Sequence, residues 1–291
     1  MVFEFNDKQK ALIKEYKALI SYGYQKMSQV KLDLDKVRVR KRVLYFMMGA
    51  MQSYSESILK LMGSEPVYEK PGESLLRSQL EIWLNMRFIY SSRSEDKARL
   101  FLSDLIMESI AYANRHKKLW KKYSLWDMEF GTIKSVSDWD KFISDNVNLL
   151  KKYRKKYKDK HVLKLPDLYS RVLAIDKHLK KIGTLSENNS AEKFYTLFYP
   201  YFSQSTHSNM SGLQRYLRGT SKNLEPFLDV DSKPEDAERI LFISYQGYFD
   251  VLRFVLKVFN IYSPLEYDPY NKYSKRLKKN ISTVKGGVKN D

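Results

Sequence analysis

The sequence of 291 residues contains no cysteine. This absence excludes disulfides, zinc sites with cysteine ligands, iron–sulfur clusters and thiol nucleophiles. It also suits a reducing compartment, and we expect a cytoplasmic protein. Glycine and proline are scarce, with 11 and 8 residues, which is about half and three-fifths of average usage. Few turn-forming residues among many Lys, Leu and Tyr residues favour a mostly helical protein.

Long uncharged segments and common catalytic motifs are lacking as well. No run of 18 uncharged residues occurs, so we expect no transmembrane helix. Charged sequence directly after Met1 argues against a signal peptide. The sequence has no P-loop, GxGxxG or HExxH motif, and we predict neither a metal ion nor a cofactor. The candidates for a general base near neutral pH are four histidines: His116, His161, His178 and His207.

The charge balance is strongly positive. Lys and Arg total 52 against 34 Asp and Glu, which gives a formal net charge of +18. This surplus favours a polyanionic partner, and we expect RNA rather than DNA. A lysine-rich genome would give the same composition without any such partner. A homodimer, or a complex with a partner protein, also fits.

Hydrophobic spacing predicts about eight helices and no strand. The predicted helices cover residues 7–30, 36–62, 73–91, 95–120, 137 to the 150s, 166–182, 191–218 and 234–262. Ser94 and Ser137 are the expected N-caps of the fourth and fifth helices. The predicted fold class is therefore all-α, a single helical bundle domain over residues 1–264. A basic, partly disordered tail over residues 265–291 follows it.

Arg77 and Glu81 form the first candidate site. Their spacing of four residues places both on one face of a helix, where they can pair. Apolar residues surround them, so they can lie in a partly buried groove. One interpretation is a rigid guanidinium held ready for a phosphate group. The alternative is an ordinary intrahelical salt bridge.

Ser203 and His207 form the second candidate site, again four residues apart. Hydroxyl and amide side chains surround the histidine within an aromatic stretch, which indicates a polar pocket. In one interpretation His207 is a general base or acid and Ser203 orients it or binds ligand. In the other, His207 is a structural histidine among capping hydroxyls.

The pattern of Arg77-x3-Glu81 followed far downstream by Ser203-x3-His207 resembles a bacterial family of all-helical proteins of unknown function. The resemblance covers roughly residues 40–260. These proteins resemble, in their all-helical architecture, the abortive-infection and HEPN-type proteins of phage-defence and toxin–antitoxin loci. The resemblance implies a shared polar centre of four residues: Arg77, Glu81, Ser203 and His207.

HEPN ribonucleases suggest an alternative catalytic pair, because they use an Arg and a His separated by four to six residues. Arg171 and His178 have this spacing on a predicted helix, and Arg154 and His161 share it. A polar residue usually follows the Arg in that family, whereas Val172 stands there in this sequence.

A basic run over residues 151–160 is the candidate nucleic-acid interface. Its predicted phosphate contacts are Lys151, Lys152, Arg154, Lys155 and Lys156. Such contacts give salt-dependent binding that is largely independent of base sequence. The alternative is a solvated helix end whose cations favour the helix dipole.

Together these features predict an effector of the antiphage-defence or toxin type that acts on RNA. The expected activity is a metal-independent ribonuclease, with a histidine base and an arginine that binds phosphate. The alternative is a non-catalytic helical subunit that binds nucleic acid or a partner protein in a defence complex. A third interpretation is a protein that binds a nucleotide or another small signal molecule.

Overall fold

The computed structural model describes residues 5–33, 36–64, 67–92, 94–123, 135–154, 165–187, 189–204, 217–220, 223–228 and 234–261. Within these ranges, some side chains lie outside the description: those of residues 120, 121, 123, 152–154, 201–204, 217–220, 223–228, 234 and 235. Helices account for most of the described residues, which confirms the predicted all-α fold class.

Eight helices occur in the described part of the chain. They are α1 (Asp7–Met27), α2 (Val39–Met62), α3 (Glu69–Tyr90), α4 (Asp96–Tyr123), α5 (Val136–Arg154), α6 (Leu168–Lys181), α7 (Ala191–Gln204) and α8 (Pro234–Val258). None of these helices is both long and apolar enough to cross a lipid bilayer.

One short antiparallel hairpin is present besides the helices. Strand β1 (Leu217–Thr220) pairs with β2 (Asn223–Leu228), and Leu217 lies opposite Leu228. The predicted helix over residues 191–218 therefore continues only to Gln204 among the described residues. Residues 217 and 218 pair with a second strand instead, a contact that hydrophobic spacing within one segment does not reveal.

Side-chain caps fix where several helices begin. Ser94 caps α4 as predicted, because its hydroxyl accepts from the Asp96 amide at 3.3 Å. The predicted cap Ser137 is wrong, since Ser135 caps α5 and the helix begins at Val136. The Ser135 hydroxyl accepts from the Asp138 amide at 3.2 Å and donates to the Asp138 carboxylate at 2.8 Å.

Chain contacts divide the protein into two compact units. The first takes residues from Met1–Asp35, Leu44–Trp83 and Phe194–Asp291, and the second from Lys36–Val43 and Leu84–Lys193. Helices α2, α3 and α7 each contribute residues to both units.

The core of the first unit lies around α8. This helix buries Ile240, Leu241, Tyr245, Tyr248, Val251, Leu252, Val255 and Leu256. Helix α1 packs on α8, and Gly23 permits the close approach. A Cβ atom at Gly23 would lie 2.0 Å from the Tyr248 hydroxyl, so a larger residue would force the helices to shift.

A buried hydrogen-bond network links four helices of the first unit. The Tyr16 hydroxyl lies 2.6 Å from the Ser244 hydroxyl, which donates to the Gln79 side-chain oxygen at 2.7 Å. The Gln79 amide nitrogen donates to the Ser55 hydroxyl at 2.6 Å. Because these polar groups satisfy one another, they can be buried without an uncompensated desolvation cost.

The second unit contains the packed pair α4 and α5. Trp139 of α5 is buried, and its ring stacks on His116 of α4 with 5.6 Å between the ring centroids. An ion pair between Lys117 and Asp140 also joins the two helices. Two aromatic side chains thus contact His116, Tyr112 and Trp139, and Phe142 packs against Trp139.

Candidate functional site

Arg77 and Glu81 pair on α3, as their spacing predicts. The Arg77 Nε donates to Glu81 Oε1 at 3.0 Å. Both side chains reach solvent, with 21% of the Arg77 side chain and 37% of the Glu81 side chain exposed. The pair therefore lies at the edge of the first unit and not in its dry core.

Tyr199 of α7 completes this pair. Its hydroxyl accepts a hydrogen bond from Arg77 Nη2 at 2.9 Å and donates one to Glu81 Oε1 at 2.8 Å. The Arg77 guanidinium also lies over the Tyr199 ring, 5.1 Å from its centroid. We refer to Arg77, Glu81 and Tyr199 as the Arg77 cluster.

Electrostatics keep the Arg77 cluster in one protonation state near neutral pH. Burial and the neighbouring Glu81 carboxylate raise the pKa of the Tyr199 hydroxyl to about 12. Burial lowers the pKa of the Arg77 guanidinium, but Tyr199 and Glu81 outweigh this effect and the pKa is raised. Tyr199 is therefore neutral and Arg77 is charged over the physiological range.

Aromatic contacts hold Tyr199 in place. The Tyr195 ring stacks on the Tyr199 ring with 4.6 Å between their centroids and 18° between their planes. On the adjacent face of α7, Phe194 contacts both Trp83 and Phe198. These contacts arise because the aromatic residues recur at intervals of four along α7.

Ser203 and His207 follow Tyr199 along the chain. Ser203 lies in the last turn of α7, four residues after Tyr199, and its side chain is not described. His207 lies outside the described residues, three positions after the end of α7. The predicted catalytic role of these residues stays a prediction.

The alternative pair Arg171 and His178 lies on α6, two turns apart. The Arg171 side chain donates to the Asn85 side-chain oxygen and to the Asp167 carbonyl. The His178 side chain is half-buried and makes no hydrogen bond with the described residues. The catalytic role of this pair stays a prediction.

Asp176, between these two residues, has a structural role that sequence reasoning missed. Its carboxylate accepts from the Ala191 amide at 2.7 Å, from the Glu192 amide at 3.2 Å and from the Ser190 hydroxyl at 2.6 Å. It thereby satisfies the first amides of α7, which have no partner within the helix.

The predicted basic interface is described only in part. Lys151 is exposed in the last turn of α5, and Lys152 and Arg154 lie in the same turn. Lys155 and Lys156 lie outside the described residues. In the part of the chain that is described, no group of three or more His, Asp or Glu side chains is placed to hold a metal ion.

Comparison with protein families adds one finding to this geometry. Residues 41–224 match DUF5677, a family of unknown function. The chain belongs to this family. The DUF5677 match includes every residue of the Arg77 cluster, as well as Ser203 and His207. Predicted membership of an uncharacterised helical family is thus confirmed. No curated protein and no solved structure in the comparisons matches the chain.

Proposed function

We propose that this protein is a metal-independent ribonuclease, an effector of the antiphage-defence or toxin type, whose active site is built around the Arg77 cluster. The observation that carries the proposal is the pair of hydrogen bonds made by Tyr199, at 2.9 Å to Arg77 and 2.8 Å to Glu81. This contact joins α3 to the segment that also contains Ser203 and His207.

Arg77 is the proposed phosphate-binding group. Phosphate recognition by arginine depends on the orientation of a planar guanidinium, and not on charge alone. Glu81 fixes that plane at Nε and Tyr199 fixes it at Nη2. A guanidinium held in this way can stabilise charge that develops on the phosphate oxygens in the transition state.

The general base must come from outside the Arg77 cluster. Tyr199 holds its proton at neutral pH because its pKa is raised to about 12. We assign the role to His207, because imidazole is the side chain best suited to proton transfer near pH 7. In this scheme His207 takes the 2′-hydroxyl proton, and the 2′ oxygen attacks phosphorus. The bond to the 5′ oxygen breaks and a 2′,3′-cyclic phosphate remains. The 5′ oxygen takes a proton from water, and the resulting hydroxide takes the proton held by His207, which restores the neutral base.

Non-catalytic RNA binding is the second candidate function. It is favoured by the formal net charge of +18 and by the exposed Lys151 at the end of α5. In this case the Arg77 cluster is a structural ion pair, and the basic residues near the end of α5 supply affinity through phosphate contacts.

Cleavage of single-stranded RNA in EDTA tests the proposal. We expect His207→Ala and Arg77→Ala to lower the cleavage rate by roughly 10²- to 10⁴-fold, the usual contribution of such groups. Arg77→Lys retains the charge and should still lose most of the activity, because lysine lacks the planar fork. Arg115→Ala removes an exposed arginine of α4 and is the matched control.

The outcomes separate the candidates. Loss of cleavage only in His178→Ala would transfer the active site to Arg171 and His178. Binding without cleavage, weakened by salt and by Lys151→Glu, would establish the second function. Products without a 2′,3′-cyclic phosphate end would contradict the proposed attack by the 2′ oxygen.

A further inference from the structure

A cavity of about 620 Å³ lies between α1 and α2 in the first unit, apart from the residues of the Arg77 cluster. Its lining consists of Lys17, Ile20, Ser21, Glu56, Leu59, Lys60, Gly63 and Ser64. The volume lies within the range of about 300–1,000 Å³ that is typical of small-molecule sites.

The cavity is formed by one face of each helix. Lys17 and Ser21 are one turn apart on α1, and Glu56 and Lys60 are one turn apart on α2. Ile20 and Leu59 are almost fully buried and supply the apolar part of the lining. The site thus combines an apolar wall with cationic, hydroxyl and carboxylate groups.

The two lysines of the cavity have no direct ion-pair partner. Among the residues that the structure describes, neither Lys17 nor Lys60 forms an ion pair or a hydrogen bond. Glu56 is one turn before Lys60 and would be its natural partner. The Glu56 carboxylate instead accepts a hydrogen bond from the Tyr24 hydroxyl. Two solvent-exposed lysines without a direct ion-pair partner therefore line the cavity, beside one carboxylate, Glu56.

We propose that this cavity binds a small phosphomonoester that carries hydroxyl groups, such as a nucleoside monophosphate or a sugar phosphate. A phosphate dianion supplies the negative charge that Lys17 and Lys60 lack, and the Ser21 hydroxyl can donate to a third oxygen. Glu56 can accept from a sugar hydroxyl.

Calorimetric titration of the full chain tests this assignment. The probes are AMP and ribose 5-phosphate, with adenosine as the analogue that lacks phosphate. We expect saturable binding of a phosphomonoester at one site and no binding of adenosine. Lys17→Gln and Lys60→Gln should each weaken binding about tenfold, because each removes one charge-assisted hydrogen bond. Lys17→Arg and Lys60→Arg should retain most of the affinity.

Lys8→Gln is the matched control. Lys8 is exposed on α1, about two and a half turns before Lys17, so it lies on the opposite face of the helix. Its replacement should leave binding unchanged. Circular dichroism of each variant confirms that the helices are intact.

Two results would overturn the assignment. The first is that neither phosphomonoester binds. The second is that phosphomonoesters bind the wild type and both Lys→Gln variants equally, whether or not the variants lose affinity for RNA. RNA cleavage in the Arg77 and His207 variants tests the ribonuclease separately, so the two proposals fail independently.

Discussion

Replacing Tyr199 with phenylalanine tests whether the Arg77 cluster is a cooperative unit. The change keeps the ring over which the Arg77 guanidinium lies, but it removes the hydroxyl that bonds to both Arg77 and Glu81. A hydrogen bond to a charged group contributes about 1.5–3 kcal/mol when it is well shielded. Water can replace part of these bonds, since 37% of the Glu81 side chain is exposed. We therefore expect a loss of about 1–2 kcal/mol in the free energy of unfolding.

Urea denaturation followed by circular dichroism measures this loss. Tyr68→Phe is the control, because Tyr68 is 47% exposed and its hydroxyl makes no hydrogen bond with the described residues. The control should change the free energy of unfolding by less than about 0.5 kcal/mol. A double-mutant cycle of Tyr199→Phe with Glu81→Gln should give a coupling energy above about 0.5 kcal/mol.

Equal stability of Tyr199→Phe and Tyr68→Phe, together with additive effects in the cycle, would refute this reasoning. Tyr199 would then contact Arg77 and Glu81 without fixing their orientation. Its two hydrogen bonds would no longer support the ribonuclease proposal. A stability loss without any change in RNA cleavage would assign the cluster to structure alone.

Three further predictions concern stability. Asp176→Ala should cost about 1–2 kcal/mol in urea denaturation, because it removes the carboxylate that caps α7. Gly23→Ala should cost about 1–3 kcal/mol through its clash with Tyr248, whereas Gly49→Ala has open space and should gain about 0.5–1 kcal/mol. Burial raises the pKa of Tyr16 to about 12, so the folded state holds this proton more tightly than the unfolded state. The contribution of Tyr16 to stability should therefore be fully present below pH 10 and fall by about 2–3 kcal/mol between pH 10 and 12, so the decline of stability over this range should be shallower in Tyr16→Phe.

The helices were predictable because their signals are local. Leu12, Tyr16 and Leu19 recur at helical spacing, and all three are buried as the pattern predicts. The start of α4 follows from Ser94 alone. Some local details differ from the prediction: residues 217 and 218 belong to β1 and not to a helix, and α3 begins at Glu69. Pro71 fits in the first turn of α3, where its missing amide has no helical partner to lose.

The Arg77 cluster was only half predictable. Arg77 and Glu81 are four residues apart, so their pairing follows from helix geometry. Tyr199 lies 118 residues beyond Glu81 and is one of 22 tyrosines. No periodicity selects it, because the contact depends on how α3 and α7 pack in the first unit. The available signal was its position one turn before Ser203, in the aromatic stretch that already indicated a polar pocket.

Tyr199 also bears on the choice between a phosphate-binding group and an ordinary salt bridge. A pair such as Arg77 and Glu81 at four-residue spacing stabilises a helix by about 0.2–0.5 kcal/mol without any third group. The Tyr199 hydroxyl is thus not needed for α3 alone; its two hydrogen bonds stabilise the packing of α7 on α3. The same contacts hold Nε and Nη2 of Arg77 at once, which restricts rotation of the guanidinium plane. A fixed plane matters for binding a tetrahedral anion in one geometry, and this requirement favours the phosphate-binding interpretation.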